Sequence, residues 1–373
     1  MTAPYVPPPG DWARIDPRHA GFDPGRLEAA LEFARGADSP WPRSMFMPDG
    51  TFAIAAQMGE PLPWGEPLGV IMPRHGPNGM ILRGGRLVAS WGEIERPEMT
   101  YSVAKSYLAL LAGLAVGRGL IGDLDDPVRL AAPDPGYDSD RNRGVTWRHL
   151  LQQTSEWEGT LFDRPDMVDR NRQVGAGAVQ TGKGTFRKLG PPGSFWEYND
   201  IRVNRLALSL MQVFGEELPD VLKREIMDPI GASPSWRWHG YVNSMVTVKG
   251  RPMVSVPGGS HWGGGIVISS PDHARLGLLV AREGKWGERQ ILPAGWAGRL
   301  RESPPQHKGY GLMWWLNTDR VQYPSAPASS LFAMGAGNHL IWIDPDHDLV
   351  AVIRWVDGAK ADALLGKILA AMG

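Results

Sequence analysis

The sequence predicts a mixed α/β protein of α+β type, in which an antiparallel sheet assembled from both ends of the chain is flanked by helices and interrupted by an inserted, mainly helical lobe. Two observations carry the sheet. Short apolar runs flank Arg83-Gly84-Gly85-Arg86 toward the start of the chain, and a second such pair flanks residues 344–348 toward its end. A third observation carries the lobe, because the stretch between has helical rather than alternating apolar spacing. The expected division is 1–98 with 250–373 for the sheet domain and 99–249 for the helical lobe, with a crevice between them.

The elements follow in order. Asp23-Pro24 supplies an N-cap and a first-turn proline, Leu27, Ala30, Leu31 and Ala34 recur at helical spacing, and Gly36 ends the run. Met80-Ile81-Leu82 and Leu87-Val88-Ala89 flank a glycine pair suited to a tight hairpin turn over 79–93. Leu108, Leu111, Leu114 and Ala115 share one face of a helix predicted over 102–118, with Gly119 as its stop. Residues 120–200, rich in Asp, Gly, Pro and Arg, read as long loops with a short helix over 146–153, and a further helix fits 201–214. Beyond Gly231 strands return at 263–269 and 310–316, with a helix over 271–283 between them. Leu340-Ile341-Trp342-Ile343 and Leu349-Val350-Ala351-Val352-Ile353 form a strand–turn–strand unit, and a helix over 359–372 closes the chain.

Composition removes several classes of function. The 373 residues carry 39 Lys+Arg against 40 Asp+Glu, a net charge of −1, so there is no electrostatic reason to expect nucleic acid or an acidic membrane as partner. Hydrophobic residues at 42% and charged residues at 21% are those of a globular chain. Cysteine is absent, which excludes disulfides, a cysteine nucleophile and thiolate metal sites. The N-terminus has no basic start and no apolar run before Asp11, and no stretch reaches the roughly 18 apolar residues of a membrane span, so the expected location is the cytoplasm. The oligomeric state is left open.

Three metal or nucleotide patterns come close and fail. The run from Gly177 to Lys183 matches a phosphate loop until Gly184, where a Ser or Thr is required. Asp344, Asp346 and Asp348 alternate as in a calcium loop, but Leu349 stands where the turn glycine belongs and Trp355 where the bidentate glutamate belongs. The nine histidines, His149, His261 and His339 among them, contain no His-Glu-x-x-His. No metal and no cofactor is expected.

Oxygen chemistry then narrows to serine. The Gly-x-Ser-x-Gly elbow of α/β-hydrolases does not occur, whereas Ser102-Val103-Ala104-Lys105 gives a single Ser-x-x-Lys. At the start of a helix, residues three apart stack on one face, so Lys105 Nζ can reach Ser102 Oγ. The free N–H groups there also favour a developing oxyanion. The four letters by themselves equally fit a serine N-cap followed by an exposed lysine.

The segments that follow decide between these. Ser102-x-x-Lys105 is succeeded by Thr146-Trp147-Arg148-His149-Leu150-Leu151-Gln152-Gln153-Thr154-Ser155, then by Pro192-Gly193 leading into Glu197-Tyr198-Asn199-Asp200. Gly263-Gly264-Gly265-Ile266, Tyr310-Gly311-Leu312-Met313-Trp314-Trp315 and Gly335-Ala336-Gly337-Asn338 complete the order. This succession, over about 79–359, resembles the serine β-lactamase-like hydrolases. The branch is that of class C β-lactamases, D-alanyl peptidases, family VIII carboxylesterases and 6-aminohexanoate-dimer hydrolases.

The resemblance implies a β-lactamase/transpeptidase-like fold with Ser102 as acyl-forming nucleophile and Lys105 orienting and helping to deprotonate it. Tyr198, from the Tyr-x-Asn element, is implied as general base, its phenol lowered in pKa by the lysine ammonium. The oxyanion hole is implied to use the backbone N–H groups of Ser102 and Asn338. Two departures bear on substrate. Asp200 stands where β-lactamases carry asparagine, so a carboxylate faces the substrate-binding position. Gly335-Ala336-Gly337 stands in place of Lys-Thr-Gly or His-Thr-Gly, which removes the cation that anchors a substrate carboxylate and favours neutral esters or amides. His339 offers a partial substitute. Gly337, Trp157 and Trp262 are further candidate substrate contacts, the last two as members of an unusually large set of 16 tryptophans. Glu156 and Glu158 are read as solvated.

The expected function is therefore that of a serine hydrolase without cofactor, a carboxylesterase on small neutral acyl esters. The alternatives are an amide hydrolase on linear amides or β-lactams, which Asp200 would serve by holding a substrate ammonium, an acyltransferase using the same acyl-enzyme, and a non-catalytic binder.

Overall fold

The computed structural model describes residues 5–44, 67–175, 178, 181–258 and 265–372. In chain order the elements that frame the site are α1 (Pro24–Arg35), β1 (Asn78–Arg83), β2 (Arg86–Trp91), β3 (Glu98–Met99), α2 (Val103–Gly117), α3 (Trp147–Leu151), α4 (Asp200–Phe214), β4 (Arg237–His239), β5 (Gly265–Ile268), α5 (Ser270–Ala281), β6 (Trp315–Leu316), β7 (Leu331–Gly335), β8 (His339–Asp344), β9 (Leu349–Arg354) and α6 (Ala361–Ala370).

One antiparallel sheet runs in the order β6-β7-β8-β9-β1-β2, so strands from the two ends of the chain meet at the β9–β1 pair. Alternation along these strands divides the core. Met80, Leu82, Ile341, Ile343, Val350 and Val352 face one side with residues of α2 and α5. Ile81, Leu340, Trp342, Leu349, Ala351 and Ile353 face the other, against α1 and α6. Each such buried aliphatic side chain contributes about 1.5–3 kcal/mol, so both faces are covered and the register is fixed.

Local chemistry explains the turns. Gly84 and Gly85 both take positive φ (+59° and +77°), as a two-residue hairpin between Arg83 and Arg86 requires. Asp344 closes the β8–β9 turn by accepting from Asp346 N at 3.0 Å, while Asp348 takes φ +49°. The strand expected over 310–316 is shorter. Gly311 N donates to Trp314 O at 2.8 Å and Met313 has φ +58°, so a tight turn folds Tyr310 back onto Trp315 and Trp315–Leu316 alone pairs with β7.

A second sheet, β3-β5-β4, lies beside the start of α2. The stretch 99–249 carries α2, α3 and α4 joined by long loops and also supplies β4, and the hairpin of Met245–Val248 with Arg251–Val254 straddles the expected boundary. Among the described residues no helix is long and apolar enough to cross a membrane.

Candidate active site

The site begins with a constrained turn ahead of α2. Tyr101, immediately before Ser102, takes φ +49°, a costly conformation for a bulky residue. Its ring is held edge-on by Trp41 and Trp355 at 6.0 and 6.3 Å. Two glycines let neighbouring strands approach the turn. A Cβ on Gly335 of β7 would meet Thr100 O at 2.2 Å, and one on Gly265 of β5 would meet Tyr101 O at 2.8 Å.

Ser102 is the N-cap residue of α2 but makes no side-chain cap bond. Lys105, one turn on and buried, instead brings Nζ to 2.7 Å from Ser102 Oγ. Burial disfavours the ammonium and lowers the Lys105 pKa, against the opposing pull of Asp200. Tyr198 shares a hydrogen bond with Ser102. Its ring stacks on Trp315 at 6.0 Å and meets Tyr310 edge-on at 6.2 Å. Lys105 Nζ and the Arg172 guanidinium lie 4.8 and 5.2 Å from the ring centre.

The expected lowering of the Tyr198 pKa is corrected. Burial and the Asp200 carboxylate push the phenol above its ordinary value, and they outweigh Arg172 and the Ser102 hydrogen bond.

The reading of Asp200 as a substrate contact is also corrected. Asp200 is the first residue of α4 and 2% exposed. One carboxylate oxygen lies 2.6 Å from Lys105 Nζ and the other 2.6 Å from Arg172 Nη1. Its backbone N–H donates to Asp169 Oδ2 at 2.9 Å. Asn199 beside it is an anchor, capping α4 through Arg202 N and donating Nδ2 to Asp166 O. Gln153 completes the arrangement, accepting from Asn199 N at 2.9 Å and donating to Tyr310 O–H at 3.3 Å.

The remaining candidates are dispersed. Trp157 is 1% exposed in the core, its indole donating to Gly136 O at 2.8 Å, which corrects its reading as a pocket wall. His339 is buried under Trp355 and accepts from Arg354 Nε at 3.0 Å, so it is committed to that guanidinium and is not a substitute cation. Burial and Arg354 hold its pKa well below the ordinary value. Gly337 (φ +78°) packs against Trp355, where a Cβ would meet the ring at 2.4 Å, and Asn338 (φ +59°) occupies the β7–β8 turn. Trp262 and His261 lie outside the described residues. Glu158 is exposed, but Glu156 is buried and paired with Arg187 at 2.7 Å, correcting its reading as solvated.

Sequence reasoning missed Arg172 and Asp169, which arrive from a loop without periodicity. The spacing Asp166-x-x-Asp169-x-x-Arg172 is their one sequence signal. Beside them opens a cleft of about 560 Å³ with a mixed lining that includes Arg172, Gln173, Val174, Phe195, Trp196 and Glu197. Among the described residues no group of three or more His, Asp or Glu has the geometry to hold a metal ion.

An antiparallel sheet covered by helices on both faces, with a Ser–Lys pair at the head of the helix beneath it, defines the β-lactamase/transpeptidase-like class of fold. The family profile described as Beta-lactamase matches residues 80–362, and the chain belongs to that family, whose members are serine hydrolases. Solved structures similar to it include a penicillin-binding protein homologue from Caulobacter crescentus (14% identity, 94% of this chain and 99% of that one, TM-score 0.59). They also include EstCE1, a hydrolase with promiscuous acyltransferase activity (18%, 80% and 93%, TM-score 0.56). A Bacillus anthracis protein provisionally assigned as a 6-aminohexanoate-dimer hydrolase is similar over nearly its whole length (14%, 98% and 97%, TM-score 0.54). At such identities the likeness is one of fold. No curated protein matches the chain.

Proposed function

We propose that this chain is a carboxylesterase acting on small neutral acyl esters through an acyl-enzyme on Ser102. The observation that carries the reading is the contact of Lys105 Nζ with Ser102 Oγ at 2.7 Å, with Tyr198 hydrogen-bonded to the same serine. Neutral Lys105 accepts the Ser102 proton as Oγ attacks the ester carbonyl. Tyr198, which holds its proton, relays one to the departing alkoxide, and water then enters by the reverse route.

The developing oxyanion is received by the Ser102 N–H at the head of α2 and by a second N–H from the sheet edge. That second donor is the Asn338 N–H, which follows Gly335-Ala336-Gly337 in the turn after β7, the strand whose Gly335 packs against Thr100 and Val103. The neutral-substrate preference is supported by Gly335-Ala336-Gly337, which offers no side-chain cation, and by the engagement of His339 with Arg354. Val174, Phe195 and Trp196, in a cleft of mixed polar and apolar lining, suit the apolar part of an acyl or alcohol group.

Amide hydrolysis loses its main support, since both Asp200 oxygens face protein cations. Acyl transfer to an alcohol uses the same intermediate and is favoured as a second activity by the likeness to EstCE1. The test is the initial rate of p-nitrophenyl butyrate hydrolysis by the protein and its Ser102→Ala variant, with and without an added alcohol. Loss of the rate on substitution is expected, and an unchanged rate in Ser102→Ala contradicts the reading.

A further inference from the structure

Asp200 draws together two cations that serve different parts of the site. Lys105 Nζ lies 2.6 Å from one oxygen and Arg172 Nη1 2.6 Å from the other, and all three side chains are at most 5% exposed. Behind Arg172, Asp169 Oδ1 stands 3.5 Å from Arg172 Nη1 and 3.5 Å from Lys183 Nζ, while its Oδ2 accepts from the Asp200 backbone. The chain of charges therefore alternates from Lys105 through Asp200, Arg172 and Asp169 to Lys183. An ion pair so buried is retained only where geometry and further hydrogen bonds offset its desolvation.

We propose that Asp200 and Arg172 are positioning residues that hold Lys105 against Ser102 and set, by opposite charges, the pH range in which the Ser102–Lys105–Tyr198 group is reactive. The inference rests on the proposed acyl-enzyme chemistry and gives that site its internal control. An asparagine at 200 would keep the shape and remove the charge. The carboxylate instead stabilises a proton on Lys105 and on Tyr198, and Arg172 on its far side tempers this.

The remaining charged and titratable neighbours are few. Tyr310 meets the Tyr198 ring edge-on at 6.2 Å, and His307 lies against Trp196 at 4.0 Å. Glu156 and Glu197 are taken up by Arg187 and Arg202. Among the described residues Asp200 and Arg172 are the charged groups packed directly on the reactive trio, with Asp169 acting from behind Arg172, and changing Asp200 or Arg172 has opposite signs. Removing the Asp200 charge eases deprotonation of Lys105 and Tyr198, and removing the Arg172 charge impedes it.

The experiment follows reaction of Ser102 with a fluorophosphonate probe against pH, in parallel with p-nitrophenyl butyrate turnover, in the wild type, Asp200→Asn, Arg172→Gln and Ser102→Ala. The rising limb is expected to move to lower pH in Asp200→Asn and to higher pH in Arg172→Gln, each by about one unit or more, as a removed charge within a few ångströms produces. Limbs that stay in place while amplitude falls mean a merely structural role and overturn the inference, as does shifting in the same direction. Shifts in probe labelling without ester turnover keep the inference and sink the esterase reading. Wild-type Ser102 that fails to label overturns both. Should Asp200→Asn not fold by circular dichroism, the direction of the Arg172→Gln shift decides.

Discussion

Lys105 Nζ stands 2.7 Å from Ser102 Oγ because the two residues lie one turn apart at the head of a buried helix, and Ser102 does not use its hydroxyl to cap that helix. The hydroxyl of an N-cap serine ordinarily accepts from the backbone of the first turn. Here it is turned over to a side chain that can take its proton.

Lys105 is required as an acceptor as well as a charge. Lys105→Ala and Lys105→Arg are both expected to lower kcat by about 10²–10⁴-fold with little change in KM, since arginine cannot serve as a neutral base. Steady-state kinetics with p-nitrophenyl butyrate checks this, and an active Lys105→Arg enzyme contradicts the assignment.

The pH profile follows from the directions of the two pKa shifts. Protonated Lys105 cannot accept from Ser102, so kcat/KM falls as pH falls through a limb that burial places below the ordinary lysine value of 10.5. Tyr198 is pushed above 10.0, so no loss from its ionisation is expected below that pH. Tyr198→Phe is expected to lower kcat while leaving the limb in place, and loss of the limb together with activity in that variant would reassign the base to the tyrosine.

His273 ties stability to pH at the back of the site. It is buried between Tyr107 O–H at 2.9 Å and Thr100 Oγ1 at 2.8 Å, and burial holds its pKa well below the ordinary 6.5. The unfolded chain then binds more protons than the folded one below pH 6.5, so stability is lost as pH falls from there. His339 has the same sign. Each histidine costs up to about 1.4 kcal/mol per pH unit. Denaturant midpoints between pH 7 and 5 measure the slope, which His273→Gln should flatten.

Gly335 is expected to tolerate no side chain. The Cβ of Gly335→Ala would meet Thr100 O at 2.2 Å and shift the turn that carries Ser102. A displacement near 1 Å costs about 10²-fold in rate, with overpacking adding about 1–3 kcal/mol of destabilisation. Activity near wild type in Gly335→Ala would show that the sheet edge is not fitted to the nucleophile.

Trp157 separates core from pocket. Trp157→Phe removes one indole hydrogen bond, leaving Gly136 O with Asn142 Nδ2 as its partner. A loss of about 1–3 kcal/mol in thermal or denaturant unfolding is expected, with KM for p-nitrophenyl butyrate unchanged. A raised KM at unchanged stability would return Trp157 to the substrate.

The legible part of this protein is the part written in local spacing. Leu108, Leu111 and Leu114 mark α2, the glycine pair marks the β1–β2 hairpin, and Ser102 with Lys105 share a helix face because they are three residues apart. Partnerships across long loops leave no such trace. Asp200 reads as a substrate group until Arg172 arrives from 28 residues away. Glu156 reads as a loop charge until Arg187 covers it. Trp157 and Trp315 are alike in sequence, yet one plugs the core while the other stacks on Tyr198. The sign of the Tyr198 shift was illegible for the same reason, since it depends on how deeply packing buries the ring.

A covalent acyl group on Ser102 is tested most directly by mass spectrometry of the protein quenched during turnover of p-nitrophenyl butyrate, followed by peptide mapping. A butyryl adduct on the peptide carrying Ser102, absent from Ser102→Ala together with turnover, is the expected result. Turnover that persists in Ser102→Ala, or an adduct on another residue, would contradict it.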